Sequence, residues 1–390
     1  MTDKLRVGVI FGGQSGEHEV SLQSARSVMS AINREKYEVV PIGISPQGRW
    51  LTGGDSWRQL AAQAAAKGLL PADLHEEASQ PAETSIQPQP EAGPDTRSLV
   101  VRDQPAALTS RGSPLSELDV VFPVLHGPLG EDGTVQGLLE LAGVPYVGAG
   151  VLASAVGMDK ALFKDVMRAH GIPVVDFQVI TRSRWEQEPD AVLRELESVL
   201  RYPCFVKPAN LGSSVGISKA RNRAELTAGL REAAEYDRRL LVEDAINARE
   251  IEVSVLGNDD PVASVAGEVI PSREFYDYAA KYQDGDASRL IIPAPISPEL
   301  KKQVQSLAMA VFRAIDGSGM ARVDFLLDRE TERLYVNEAN TIPGFTAISM
   351  YPKLWAASGL SYSQLIDRLI GLALERYEDK RRCRKSFDVH

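Results

Sequence analysis

Cysteine is almost missing from this chain: Cys204 and Cys383 are the only two in 390 residues. That excludes a disulfide framework and any cysteine-based zinc site, and it fits a reducing cytoplasm. Long apolar runs are missing too, and none reaches the roughly 18 residues of a membrane span. The N-terminus, MTDKLRVGVIFGG, lacks a signal peptide's apolar core and cleavage site, so the expected location is cytoplasmic. Positive charge is short. With 43 Lys and Arg against 53 Asp and Glu, a formal charge of −10 and no sustained basic stripe, neither nucleic acid nor an anionic membrane is the expected partner. The KRRCRK run near the C-terminus reads as a solvated tail.

What is present is enough apolar residue, 44%, to build more than one core, and 390 residues predict two or three domains. The most informative stretch is Met320–Thr346, MARVDFLLDRETERLYVNEANTIPGFT. Two apolar runs, Arg322–Leu327 and Leu334–Val336, flank the polar DRETE segment, which predicts an antiparallel hairpin centred near Thr331. On that centre Asp324 lies opposite Glu338 and Arg322 opposite Asn340, with all four on one face. Two carboxylates directly across a strand pair repel unless a cation sits between them. Asp, Glu and Asn offer only oxygen, which suits Mg²⁺ completed by water and phosphates. The competing reading is a solvated surface hairpin.

In chain order, Leu5–Phe11 predicts a buried parallel strand running into Gly12–Gly16, with a helix over Glu19–Ile32. Glu17 at that helix start is either a dipole partner or a contact for a substrate ammonium. Tyr37–Ile44 predicts a second strand and Ser56–Leu70 a helix. The segment Glu76–Arg97, dense in Pro, Gln, Glu and Ser, reads as a flexible insertion. Leu118–Leu125 predicts a strand that delivers His126-Gly127-Pro128-Leu129-Gly130-Glu131 before a helix over Val135–Ala142. A lone His is commonly structural, but this one ends a buried strand, where open α/β sheets put ligands. Gly148-Ala149-Gly150-Val151-Leu152-Ala153 looks like a dinucleotide fingerprint, yet no acidic residue ends a following strand at the expected distance.

From Ala155 the pattern turns α+β. Helices are predicted over Asp159–His170, Asp190–Leu200, Pro298–Ile315 and Ser361–Tyr377, the last capped by Ser361. Strands are predicted over Val174–Ile180, Cys204–Lys207, Val215–Lys219, Leu240–Asp244 and Glu250–Leu256. Lys207-Pro208-Ala209-Asn210-Leu211-Gly212-Ser213-Ser214-Val215-Gly216 is either a plain Gly-Ser turn or a loop whose amides, hydroxyls and leading lysine hold a phosphate. It is not a Walker A loop, because the lysine precedes the glycines. Glu243 and Glu250 bound apolar strands, either solvated or able to accept from an amino group and ribose hydroxyls. Ser272–Leu290, with three tyrosines and a phenylalanine, reads as a lid.

Five segments in order, GGQSGEHEVS, HGPLGEDGTVQG, KPANLGSSVGISK, FYDYAAKY and ARVDF…NEANTIPGFT, carry a resemblance to the ATP-grasp superfamily. Within it the chain resembles the D-alanine-D-alanine ligase family, over everything except the insertion and the tail. The resemblance implies an ATP-grasp fold, α/β and α+β, with a Rossmann-like parallel-sheet domain over 1–154 (insertion about 52–116). A central subdomain over 155–247 and a C-terminal one over 248–390, with its lid at 272–290, complete it. It implies ATP-dependent ligation of two D-alanines through an acyl phosphate, for peptidoglycan precursor synthesis, by a homodimer. Lys160 and Lys207 would hold the phosphates of ATP, Glu243 and Glu250 the adenosine, with Ser214 and Lys281 also binding the cofactor, and Asp324, Glu338 and Asn340 would hold the Mg²⁺ (or Mn²⁺). Glu17 would take the ammonium of the first D-alanine, with His126 near its carboxylate. Arg322 and the Gly344 amide would form the oxyanion site, and Ser349 and Met350 would meet the second D-alanine. Tyr282, Ser213 and Glu17 would form a triad under the closed lid; relatives that use D-lactate lack that tyrosine. The alternatives are a D-alanine:D-lactate ligase, an NAD-dependent dehydrogenase built on Gly148–Ala153, and a nucleotide-binding regulator without the chemistry.

Overall fold

A computed structural model describes residues 4–52, 56–69, 118–212, 215–271 and 289–384. The flexible insertion, Ser213 and Ser214, and the lid with Lys281 and Tyr282 lie outside the described residues. Three sheets organise the rest. In the first, β1 (Leu5–Gly12) runs parallel to β2 (Tyr37–Ile44) and β4 (Val120–Pro123), while β3 (Trp50–Thr52) pairs antiparallel with β2. Strand β1 is apolar without alternation because both of its faces are covered. Val7, Val9 and Phe11 pack with Leu22, Ala25 and Val28 of α1 (His18–Ala31), and Ile10 packs with Val135 and Leu139 of α3 (Thr134–Ala142). Between them in sequence, α2 (Ser56–Ala65) adds Trp57 and Leu60 to the first of these cores.

Two helices, α4 (Val151–Met158) and α5 (Lys160–Ala169), follow in succession, so no parallel strand comes after Gly148–Ala153. That removes the βαβ unit a dinucleotide fingerprint requires. Gly148 serves another purpose: its backbone lies 3.0 Å from where a Cβ on Gly319 would stand, and its carbonyl accepts from Arg376. The second sheet is antiparallel, in the order β5 (Phe177–Thr181), β8 (Arg239–Asp244), β6 (Cys204–Pro208), β7 (Ser218–Ala220). Between its strands come α6 (Arg182–Gln187), α7 (Pro189–Val199) and α8 (Arg223–Tyr236), the last capped by Asn222. The third sheet has the order β11 (Arg289–Ile291), β10 (Val262–Ile270), β9 (Ala248–Gly257), β12 (Gly319–Asp328), β13 (Leu334–Asn340), with α9 (Pro298–Ala314) packed on it. After α10 (Met350–Ala357) comes α11 (Tyr362–Arg381), which returns to the first sheet and buries Leu365, Leu369 and Ile370 with Val7 and Phe122. A full capping box between Ser361 and Gln364 starts it, as the sequence predicts.

The hairpin β12–β13 keeps the expected pairs, Arg322 with Asn340 and Asp324 with Glu338, but its register is not uniform. Beyond Asp324 it slips by one, pairing Phe325 with Val336 and Leu327 with Leu334. Strict alternation would put Leu334, Val336, Glu338 and Asn340 on one face. A bulge that leaves Asn337 over instead sends Leu334, Val336 and Ala339 into the core, with Glu338 and Asn340 opposite them. Other expectations shift at their ends: the strand predicted from Val174 begins at Phe177, and the one from Val215 begins at Ser218.

Because Asn337 is the surplus residue, deleting it should leave every inward side chain inward and cost about 1 kcal/mol. Deleting Ala339 instead removes a core side chain and turns Asn340 inward, and should abolish soluble folding. Thermal unfolding of the two deletions checks this; equal behaviour would show that the bulge does not set the faces.

Candidate active site

Loops at the C-terminal ends of β1 and β4 meet the Lys207–Gly216 loop at one carboxylate. Glu17 precedes α1 but makes no side-chain cap there. Its carboxylate is buried and turns to the two other loops: one oxygen is 2.6 Å from where a Cβ on Gly127 would stand and 3.1 Å from the same point on Gly212. Only glycine permits that approach. Ser15 holds the arrangement, its hydroxyl accepting from the Glu17 amide at 3.2 Å and donating to the His126 carbonyl at 2.6 Å.

His126 is buried and both its ring nitrogens are engaged. Nδ1 donates to the Ile342 carbonyl at 3.0 Å, which leaves Nε2 to accept from the Ser24 hydroxyl at 2.9 Å. Ser24 Oγ also accepts from the Phe345 amide at 3.4 Å. The histidine thus fastens the β4 loop to both sides of Gly344 and positions that loop, rather than presenting a free nitrogen. Gly344 abuts Ser349 Oγ, 3.2 Å from a Cβ placed on it, and Ser349 is the N-cap of α10. The Ser349 hydroxyl accepts from the Thr346 amide at 3.1 Å. Met350, the first residue of α10, is buried against Val269 and Leu354.

Across β9, β12 and β13, Glu252, Asp324 and Glu338 occupy paired positions in one row. The cation in this row is Arg322. Its Nε and Nη2 donate to the two oxygens of Asp324, each at 2.7 Å, and Nε is 3.0 Å from Glu252 Oε2. The Asn340 amide donates to Asp324 at 3.1 Å. Burial alone would lower the Arg322 pKa, but the charges of Asp324 and Glu252 outweigh it and hold the group well above its usual value. A guanidinium therefore relieves the repulsion that the sequence reading assigns to a metal. Among the described residues no cluster of three or more His, Cys, Asp or Glu could hold a metal unaided. Asp324, Glu338 and Asn340 remain an all-oxygen set with two carboxylates, which fits Mg²⁺ shared with phosphate oxygens.

The lysines lie on the second sheet and beside it. Lys160 opens α5; its Nζ donates to the Leu211 carbonyl at 2.5 Å and its backbone amide to Ala209 at 2.8 Å. Lys207 of β6 is paired with Glu243, whose other oxygen is 2.8 Å from Lys164 Nζ. Burial would raise the Glu243 pKa, but Lys164 and then Lys207 overcome it and bring it down to about 2. Both oxygens of Glu243 are thus engaged in ion pairs. Glu250 is half-buried on β9, opposite Leu326 and on the same alternation as Glu252.

Sequence reading missed four residues here. Ser24 and Glu131 come from quite separate segments. Glu131 accepts from the Gly127 amide at 2.7 Å, and burial followed by the Glu17 charge raises its pKa well above the usual carboxylate range. Glu252 could be found from its two-residue spacing to Glu250. Lys164 has a signal as well, a charge within the buried stripe Ala161, Phe163, Met167 of α5.

The chain is similar to proteins of one family. The family model described as D-ala D-ala ligase N-terminus matches residues 6–149, and that described as D-ala D-ala ligase C-terminus matches 166–371. The D-alanine--D-alanine ligase of Heliobacterium modesticaldum is 52% identical over 379 residues, 97% of each chain. That of Natranaerobius thermophilus is 48% identical over 384 residues, 98% of this chain and 99% of its own. Among solved structures, the D-alanine-D-alanine ligase from Coxiella burnetii superposes with a TM-score of 0.77 at 37% identity, covering 98% of this chain and 97% of that one. The VanG D-Ala:D-Ser ligase from Enterococcus faecalis gives 0.76 at 36%, covering 95% and 100%. The fold is the ATP-grasp fold, and the class is that of ATP-dependent carboxylate–amine ligases. Within that class the chain belongs to the D-alanine-D-alanine ligase family.

The His126 ring is neutral by construction. Burial lowers its pKa below the ordinary 6.5, against the pull of Glu17 and of the Ile342 bond. A folded pKa below the unfolded one means stabilisation that is complete above about pH 6.5 and is lost as pH falls through the folded value. The melting temperature should therefore drop from about pH 7 to pH 5 more steeply in the wild type than in His126→Asn. Parallel slopes would contradict the neutral tautomer.

Proposed function

We infer that this enzyme joins two D-alanine molecules into D-alanyl-D-alanine, with ATP going to ADP and phosphate, as a step toward peptidoglycan precursors. The observation that carries the reading is the meeting of Glu17 with Gly127 and Gly212, which puts a carboxylate for an ammonium beside the phosphate loop. A carboxylate is a poor acyl donor. Attack of the first D-alanine's carboxylate oxygen on the γ-phosphoryl group expels ADP and yields an acyl phosphate. The amine of the second D-alanine then attacks the acyl carbon, and phosphate leaves as the tetrahedral intermediate collapses.

In this reading Glu17 holds the ammonium of the first D-alanine, and His126 positions the Gly344 loop beside its carboxylate. Lys160 and Lys207 bind phosphates of ATP, Ser214 and Lys281 also bind the nucleotide, and Glu243 and Glu250 hold the adenosine. Asp324, Glu338 and Asn340 hold Mg²⁺ or Mn²⁺, which when bound neutralises phosphate charge for transfer. Arg322 and the Gly344 amide stabilise the oxyanion, a type of donor worth about 10²–10³ in rate. Ser349 and Met350 meet the second D-alanine, and Tyr282 with Ser213 and Glu17 closes the lid. Three domains over 1–154, 155–247 and 248–390 are proposed on the strength of the three sheets. A homodimer is proposed from the family resemblance. No helix among the described residues is long and apolar enough to cross a membrane, and a cytoplasmic site fits a consumer of ATP.

ADP release that depends on D-alanine is the test, with D-serine and D-lactate as competing second substrates. D-alanyl-D-alanine should dominate, and Glu338→Gln should lower turnover by orders of magnitude with partial recovery at raised Mg²⁺. A predominant depsipeptide or D-alanyl-D-serine product would refute the assigned specificity, and unchanged turnover of the variant at low Mg²⁺ the metal role.

A further inference from the structure

Lys164 stands in the middle of α5, 1% exposed, within a stripe that otherwise buries Ala161, Phe163 and Met167. Its ammonium has Glu243 Oε2 at 2.8 Å and the face of Phe177 at 5.6 Å. Glu243, 2% exposed, is also paired with Lys207 through its other oxygen. Two ammonium groups on one buried carboxylate leave an excess positive charge in a setting that penalises it. Burial, and after the opposing pull of Glu243 the charge of Lys207, lowers the Lys164 pKa accordingly. One lysine would suffice to neutralise Glu243, so the second needs a reason.

The two lysines differ in freedom. Lys207 has a 12% exposed side chain and lies at the end of β6, where the glycine loop begins; Lys164 has a 2% exposed one fixed inside a helix. On the functional reading above, Lys207 binds a phosphate of ATP, so it has to leave Glu243 when nucleotide arrives. Glu243 cannot follow, and a carboxylate left buried without a cation is strongly disfavoured. We propose that Lys164 is the standing counter-ion of Glu243, a positioning residue that keeps this carboxylate neutralised and so frees Lys207 for the nucleotide's phosphates. This inference rests on the nucleotide site assigned above.

Lys164→Met in the full chain tests it by calorimetric titration with ATP and with adenosine. Adenosine has no phosphate to draw Lys207 away. The variant should bind ATP about 100-fold more weakly or worse, because Glu243 is stranded, with adenosine affinity changed less than about threefold. ATP binding by the variant at neutral pH should also take up a proton, read from the dependence of the heat on the buffer's ionisation enthalpy. Adding Glu243→Gln should abolish that uptake and most of the ATP-specific loss. Equal weakening of ATP and adenosine, or unchanged ATP affinity, would overturn the proposal. If Lys164→Met does not fold, a crystal structure of the wild type with a non-hydrolysable ATP analogue decides. Lys207 displaced to phosphate with Lys164 still bonded to Glu243 supports the proposal, and Lys207 still on Glu243 refutes it. A wild type that binds no ATP would bring down the functional reading and this inference with it; intact wild-type binding with an unaffected variant would remove the inference alone.

Discussion

The charge balance of Arg322 against Glu252, Asp324 and Glu338 is the constraint on which the catalytic half of this enzyme depends. Three strands place carboxylates at paired positions in one row, and such a row is tolerable at partial burial only with a cation fixed among them. Arg322 answers because it is planar and bidentate, matching both oxygens of Asp324 while Nε reaches Glu252. The same guanidinium is held charged by Asp324 and Glu252, well above its usual range, which suits the oxyanion role proposed for it. Its geometry depends on the bulge at Asn337, since without the slip in register the carboxylates and the core residues of β13 would compete for one face.

The remaining contacts bring the separate sheets to that row. His126 bonds across to Ile342 and, through Ser24, to Phe345, so the end of a parallel strand in the first sheet fixes the loop that follows the hairpin. Glu17 fits between Gly127 and Gly212 because neither carries a Cβ. Lys160 and Lys207 are both engaged with protein groups, Leu211 and Glu243, so on the proposed reading a nucleotide would exchange partners with them instead of filling unpaired cations.

Much of this was readable before any coordinates, for identifiable reasons. A polar turn between two apolar runs made the hairpin itself legible, but that turn pairs Leu327 with Leu334, and the expected Asp324–Glu338 and Arg322–Asn340 pairs are reached only through the bulge at Asn337; β1 is a continuous apolar run because helices cover both its faces. Ser361 with Gln364 is a local signal, so the start of α11 was legible to the residue. The bulge at Asn337 was not, because only the competition between core and site faces reveals it. Nor was the place of Glu252, which depends on β9 pairing with β12 from more than sixty residues away in the chain. Arg322, a strand neighbour two residues off, adds a fixed cation to Asp324 that the sequence reading assigns to the oxyanion alone. Helix α8 and strand β10 escaped for a plainer reason: neither carries a motif, and their type is settled by packing against sheets whose order the sequence does not state.

The chemistry turns on phosphorylation of the first D-alanine's carboxylate before the amine attacks. D-alanine labelled with ¹⁸O in its carboxylate, turned over with unlabelled ATP, tests this through the mass of the released phosphate. One ¹⁸O atom should pass from the amino acid to phosphate for each D-alanyl-D-alanine formed. Unlabelled phosphate accompanying labelled dipeptide would contradict the acyl phosphate, and with it the roles given to Arg322 and the lysines.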